Sequence, residues 1–152
     1  MCRRVILLLP ALCALAAALR AEGPIDPRWQ RVTVEPMKTS IYLGSVRLTT
    51  GVFEHNGGNL TTTYAAEVFP FFFFDEVGRI TVTMPEDELR RVTRGEVRPF
   101  TGEAVNSQGG KRHVEGRAEP IDATHGKIKV RVFVSKHIEL IFNGTYRFTG
   151  LP

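Results

Sequence analysis

From Arg31 to the C-terminus, apolar and polar residues alternate with a period of two, and this pattern restricts the fold more than any other feature of the chain. In residues 127–134, Ile128, Val130, Val132 and Val134 share one parity, while Lys127, Lys129 and Arg131 take the other. Successive side chains of a strand point to opposite faces, so this spacing makes one oily face and one wet face. The same division separates Ile138, Leu140, Phe142, Tyr146 and Phe148 from Glu139, Asn143, Thr145 and Arg147. It recurs in Ile80, Val82 and Met84 against Arg79, Thr81 and Thr83, and in Leu60, Tyr64, Ala66 and Val68 against Thr61, Thr63 and Glu67.

Glycine and asparagine turns separate these runs at residues 56–59, 75–78, 107–110 and 122–126. Such residues supply the backbone angles of tight hairpins, so neighbouring strands are expected to pair antiparallel as a meander. The predicted strands are 31–35, 40–53, 59–69, 71–75, 79–84, 96–106, 111–118, 127–134 and 138–148, eight or nine in all. One segment breaks the pattern. Residues 85–94 open with Pro85 and the acids Glu86, Asp87 and Glu88, continue into Arg90, Arg91 and Arg94, and stop at Gly95. Proline suits a first helical turn, the charges complement the helix dipole and glycine suits the exit, so a short helix is predicted there.

A glycine midway between two apolar or small residues occurs at Tyr42-Gly44-Val46, Phe100-Gly102-Ala104, Val114-Gly116-Ala118 and Phe142-Gly144-Tyr146. Glycine within a strand permits the bending that a closed sheet needs. The fold expected is therefore mostly β, an antiparallel meander forming a small barrel with one helix; a two-sheet sandwich is the alternative. Eight antiparallel strands closed on themselves leave an interior that is either filled or holds one small ligand.

The N-terminus follows a different grammar. Arg3 and Arg4 precede an apolar run of 15 residues, Val5 to Leu19, and a charged, proline-rich segment begins at Glu22. This is the plan of a secretory signal peptide, and the run falls short of the roughly 20 residues that span a bilayer. Residues 1–21 are assigned to the signal, cut after Ala18 or Ala21, residues 22–30 to a short leader and residues 31–152 to a single β domain. Export by the general secretory route to a periplasmic or extracellular site is expected.

Removal of the signal takes Cys2 and Cys13 with it, so the domain must be held by its core rather than by disulfides. It also takes Arg3, Arg4 and Arg20 from the 20 basic residues and none of the 16 acidic ones, leaving a formal net charge of +1. The basic isoelectric point then belongs mostly to the signal and gives no ground for nucleic-acid binding.

Phe69-Pro70-Phe71-Phe72-Phe73-Phe74 holds five of the ten phenylalanines. Read as a strand, it sends Phe72 and Phe74 inward and Phe71 and Phe73 outward, or is buried on both faces beneath the helix. The predicted ligand-binding wall is Tyr64, Phe72, Phe74, Phe100, Phe142 and Tyr146, with inward glycines leaving room and the helix as a lid. His113-Val114-Glu115 and His137-Ile138-Glu139 offer two imidazoles and two carboxylates as weak candidates for a metal site, although both pairs fall on the wet face. No nucleophile elbow or other catalytic signature is present, so no catalytic residue and no cofactor are assigned. The arginines of 85–98 are read as a solvated face balanced by neighbouring acids.

The function expected is a non-catalytic binding module for an apolar or amphipathic small molecule. The alternative is a structural or protein-interaction component of the cell envelope, pairing through an open strand edge or through Phe71 and Phe73. No transmembrane anchor is expected.

Overall fold

The computed structural model describes residues 23–150, so the expected signal peptide and its expected cut at Ala18 or Ala21 lie outside the described residues. Ten strands follow one another: β1 (Arg31–Val34), β2 (Met37–Ile41), β3 (Gly44–Thr50), β4 (Phe53–Asn56), β5 (Asn59–Phe69), β6 (Glu76–Thr83), β7 (Arg98–Asn106), β8 (Lys111–Pro120), β9 (His125–Phe133) and β10 (Glu139–Phe148). One helix, α1 (Glu86–Thr93), joins β6 to β7.

The alternation closes as expected, into an eight-strand antiparallel barrel. Every pair from β5 to β10 is antiparallel to its neighbour in sequence, and β10 returns to β1 through Val32 opposite Phe148 and Val34 opposite Tyr146. The count of ten reflects two interruptions. β1 and β2 are one strand broken at Glu35-Pro36, where proline brings no N–H to a ladder. β3 and β4 are a second, broken at Gly51-Val52, and both halves pair with β5. The predicted single strand over 40–53 is thus divided, because Tyr42 and Leu43 form the turn between β2 and β3 rather than strand.

Up-and-down connectivity assigns each loop to one of two ends. At the first end lie α1, the leader, and the β4–β5 and β8–β9 turns. At the other lie the β2–β3 turn, the phenylalanine segment between β5 and β6, and the β7–β8 and β9–β10 loops. No backbone ladder links β2 to β10, although the two strands stay adjacent, so the wall is hydrogen-bonded all round near α1 but not at this second end. That end is the mouth.

The helix closes the first end by local rules. Pro85 stands at its N-cap, three acids fill the first turn, and Leu89 and Val92 face inward, both buried. Its exit is a Schellman turn: Gly95, at φ +92°, donates to the Val92 carbonyl, and Glu96 donates to that of Arg91. Arg98 grips Glu88 bidentately at 2.5 and 2.9 Å, fixing α1 to β7, and Arg90 lies 3.7 Å from Glu86. The leader joins this plug, with Ile25 buried in the core and the Gly23 carbonyl accepting from Arg90.

The phenylalanine segment departs from its expected form. Phe72–Phe74 is a 3₁₀ turn and not a strand, and it lies at the mouth, not beneath the helix. Three consecutive large apolar side chains have no alternating faces to offer when the chain must turn from β5 into β6. Phe69, Phe72, Phe73 and Phe74 are all exposed, between 65 and 76 % of their surface. The rings stack on one another instead, with Phe73 and Phe74 centroids 4.5 Å apart and Phe71 and Phe73 edge to face at 6.0 Å.

The inward glycines are also not spare room. Tyr64 lies opposite Gly78, Phe100 opposite Gly116 and Tyr146 opposite Gly126, and each ring lies over its glycine. A Cβ at Gly116 would stand 2.2 Å from Phe100 Cζ, and one at Gly144 would stand 2.6 Å from Met37 Cγ. The bends that glycine allows are filled by aromatic rings from the neighbouring strand, and Phe100 and Tyr146 in this way tighten the helix half of the barrel, while Tyr64 lies over Gly78 at the mouth.

Candidate functional site

Packing divides the interior into two halves. Toward α1, the side chains of Val32, Phe53, Leu60, Leu89, Phe100 and Tyr146 leave a void of only about 60 Å³. Toward the mouth, an open cavity of about 390 Å³ remains, walled by Ile41, Val46, Leu48, Ala66, Val68, Ile80, Ala104, Val114, Val132, Leu140 and Phe142. Ligand sites of proteins typically measure about 300–1,000 Å³ and combine apolar walls with a few placed polar groups. The mouth half has both properties.

Its polar groups form one cluster. Glu76, at the start of β6, accepts from the Tyr64 hydroxyl at 2.6 Å, from Asn106 Nδ2 at 3.1 Å and from Arg112 Nη2 at 3.1 Å. Asn106 is itself fixed, its Oδ1 accepting from the backbone N–H groups of Gln108 and Gly110. Glu76 and Arg112 are the two charged residues of the cavity wall, and their side chains are 22 and 27 % exposed. Burial alone pushes the Glu76 carboxyl up, but the bonds from Tyr64, Asn106 and Arg112 outweigh it and hold the carboxyl below its ordinary value. Burial, and then the adjacent carboxylate, push the Tyr64 hydroxyl well above its own. At neutral pH the cluster therefore carries one carboxylate, one guanidinium and one neutral phenol.

The predicted wall residues separate. Tyr64, Phe74 and Phe142 line the mouth cavity. Phe100 and Tyr146 belong to the packed half beneath α1. Phe72 is on the outer rim and lines neither half. The helix cannot be a lid over the cavity, because it closes the opposite end. Glu76, Arg112 and Asn106 were not singled out from the sequence, although their parity carried the signal. Glu76 falls in step with Ile80 and Val82, Arg112 with Val114, and Asn106 with Phe100 and Ala104, all inward residues.

The histidine–carboxylate pairs do not converge. β9 lies between β8 and β10, His113 Nε2 is 3.1 Å from Glu115 on the outer surface, and Glu139 is bonded to Arg131 at 2.8 Å. Among the described residues no group of three or more histidine, cysteine, aspartate or glutamate residues is placed to hold a metal ion. The remaining histidines have local partners: His55 Nε2 donates to the Met84 carbonyl at 2.8 Å, and His125 lies 2.9 Å from Asp122.

Among the described residues no helix is long and apolar enough to cross a membrane. Comparison with family models, with curated proteins and with solved structures gives no match for this chain.

Proposed function

We propose that the chain is an exported, non-catalytic binding module that holds an apolar or amphipathic small molecule in the mouth half of its barrel. The observation that carries this reading is the open cavity of about 390 Å³, apolar except for Tyr64, Glu76 and Arg112, with Asn106 bonded to Glu76. A barrel whose only role is to be stable gains by filling such a space, since empty volume forfeits packing energy. The other half of this barrel is filled.

Titration with the neutral fluorophore N-phenyl-1-naphthylamine tests the reading. One site per monomer is expected, with emission rising as the dye leaves water. Ala104 is buried and lines the cavity, so Ala104→Leu should reduce the affinity by about tenfold while the circular dichroism spectrum is unchanged. Binding that ignores Ala104→Leu would move the site out of the cavity.

A second reading, an interaction component of the cell envelope, draws on the exposed phenylalanines at the mouth, with Tyr42 and Leu43 beside the same opening. Apolar groups clustered on a surface commonly mark a contact site. Sedimentation of the purified protein tests the self-assembling form of this reading: a monomer at high concentration removes self-assembly through Phe71 and Phe73, though not another partner.

A further inference from the structure

The charge balance of the cluster restricts what the cavity can accept. Arg112 is an apparent anchor for a carboxylate or phosphate, the usual partners of a guanidinium. Here that charge is already matched, because Glu76 stands 3.1 Å away and is held ionised by three donors. Among the described residues no other cation lines the cavity. An anionic head group would add a second negative charge to a balanced pair among apolar walls, and an uncompensated charge in such surroundings is costly.

A neutral head group meets no such opposition. Guanidinium carries five N–H donors, and Arg112 commits one of them to Glu76. The Tyr64 hydroxyl spends its proton on Glu76, which leaves its oxygen as an acceptor toward the cavity it lines. One donor and one acceptor therefore stand together on an otherwise apolar wall. We propose that the ligand is a neutral amphiphile, with an apolar chain or ring system and an uncharged oxygen head such as a hydroxyl, carbonyl or ester, and that Glu76 acts as the selectivity element by cancelling Arg112. This rests on the binding reading above and names its ligand class.

Displacement of N-phenyl-1-naphthylamine at pH 7.5 by decanol, methyl decanoate and decanoate tests it, since the three probes share a chain and differ in the head. The alcohol and the ester are expected to displace the dye at concentrations about tenfold lower than the carboxylate. Glu76→Gln retains an oxygen to accept from Tyr64 and removes the balancing charge, so decanoate should gain about tenfold in that variant and lose the gain again in Glu76→Gln/Arg112→Gln. Circular dichroism verifies that each variant is folded. Decanoate binding the wild type as well as decanol, or gaining nothing in Glu76→Gln, overturns the proposal while leaving the cavity as a binding site. A protein that takes up neither the dye nor any probe overturns the binding reading itself.

Discussion

Tyr146 is a buried hydroxyl with no hydrogen-bond partner among the described residues, and burial together with Asp122 pushes it up to about 12. An unmade bond of this kind costs its desolvation energy without return. Tyr146→Phe is therefore expected to leave stability unchanged or to raise it by about 1 kcal/mol in urea unfolding. A loss of that size would mean that the hydroxyl is bonded in solution. Glu76 behaves in the opposite way. Its carboxyl is held below the ordinary value of 4.5, so its contribution to stability is complete above that pH and is lost as the pH falls toward the lowered value. The melting-temperature difference between wild type and Glu76→Gln should then shrink steadily as the pH is lowered below about 4.5. Asp122 is drawn down to about 2, chiefly by the Thr124 backbone N–H, but it titrates alike in both proteins and cancels from the difference. A difference that stays constant down to pH 3 would show that Glu76 is not stabilised by its donors.

At the scale of elements, legibility followed local physics. Strand and helix were readable wherever one face is wet and the other dry, as in β9 and in α1 with its acids, arginines and glycine exit. The phenylalanine segment misled because it was read as a strand, whereas Phe71 to Phe74 lie in the turn from β5 into β6, where the chain offers no alternating faces. The division of 40–53 was hidden by the apolar Tyr42 and Leu43, which are 99 and 66 % exposed. Within the site, the inward tyrosine and phenylalanines were legible, and the charged members were not, because polarity was equated with the outer face. The helix gives its own test. Leu89 is buried over the packed half, so Leu89→Ala should cost about 2–5 kcal/mol in urea unfolding. A cost below about 1 kcal/mol would mean that α1 does not seal that end.

For the whole molecule, the two ends divide the work. One half spends its apolar residues on packing, with α1 and the leader as a plug and aromatic rings lying over glycines. The other half leaves its walls apart and places a balanced charge pair beside an apolar space. The chain carries no cysteine beyond the N-terminal segment, so this asymmetry is supported by packing, backbone pairing and side-chain bonds such as Arg98 to Glu88 rather than by disulfides. A stable, closed half can tolerate an unfilled one, because stability need not be uniform across a barrel.

The central claim, that the mouth half exists to hold a small molecule, meets its most direct test in native mass spectrometry of the protein isolated from the cells that make it. The expected spectrum is a monomer carrying one small molecule that is released as a neutral species on collisional activation, and the same adduct should be depleted in Ala104→Leu. A bare monomer from gently handled material, with no adduct in either protein, would contradict the claim.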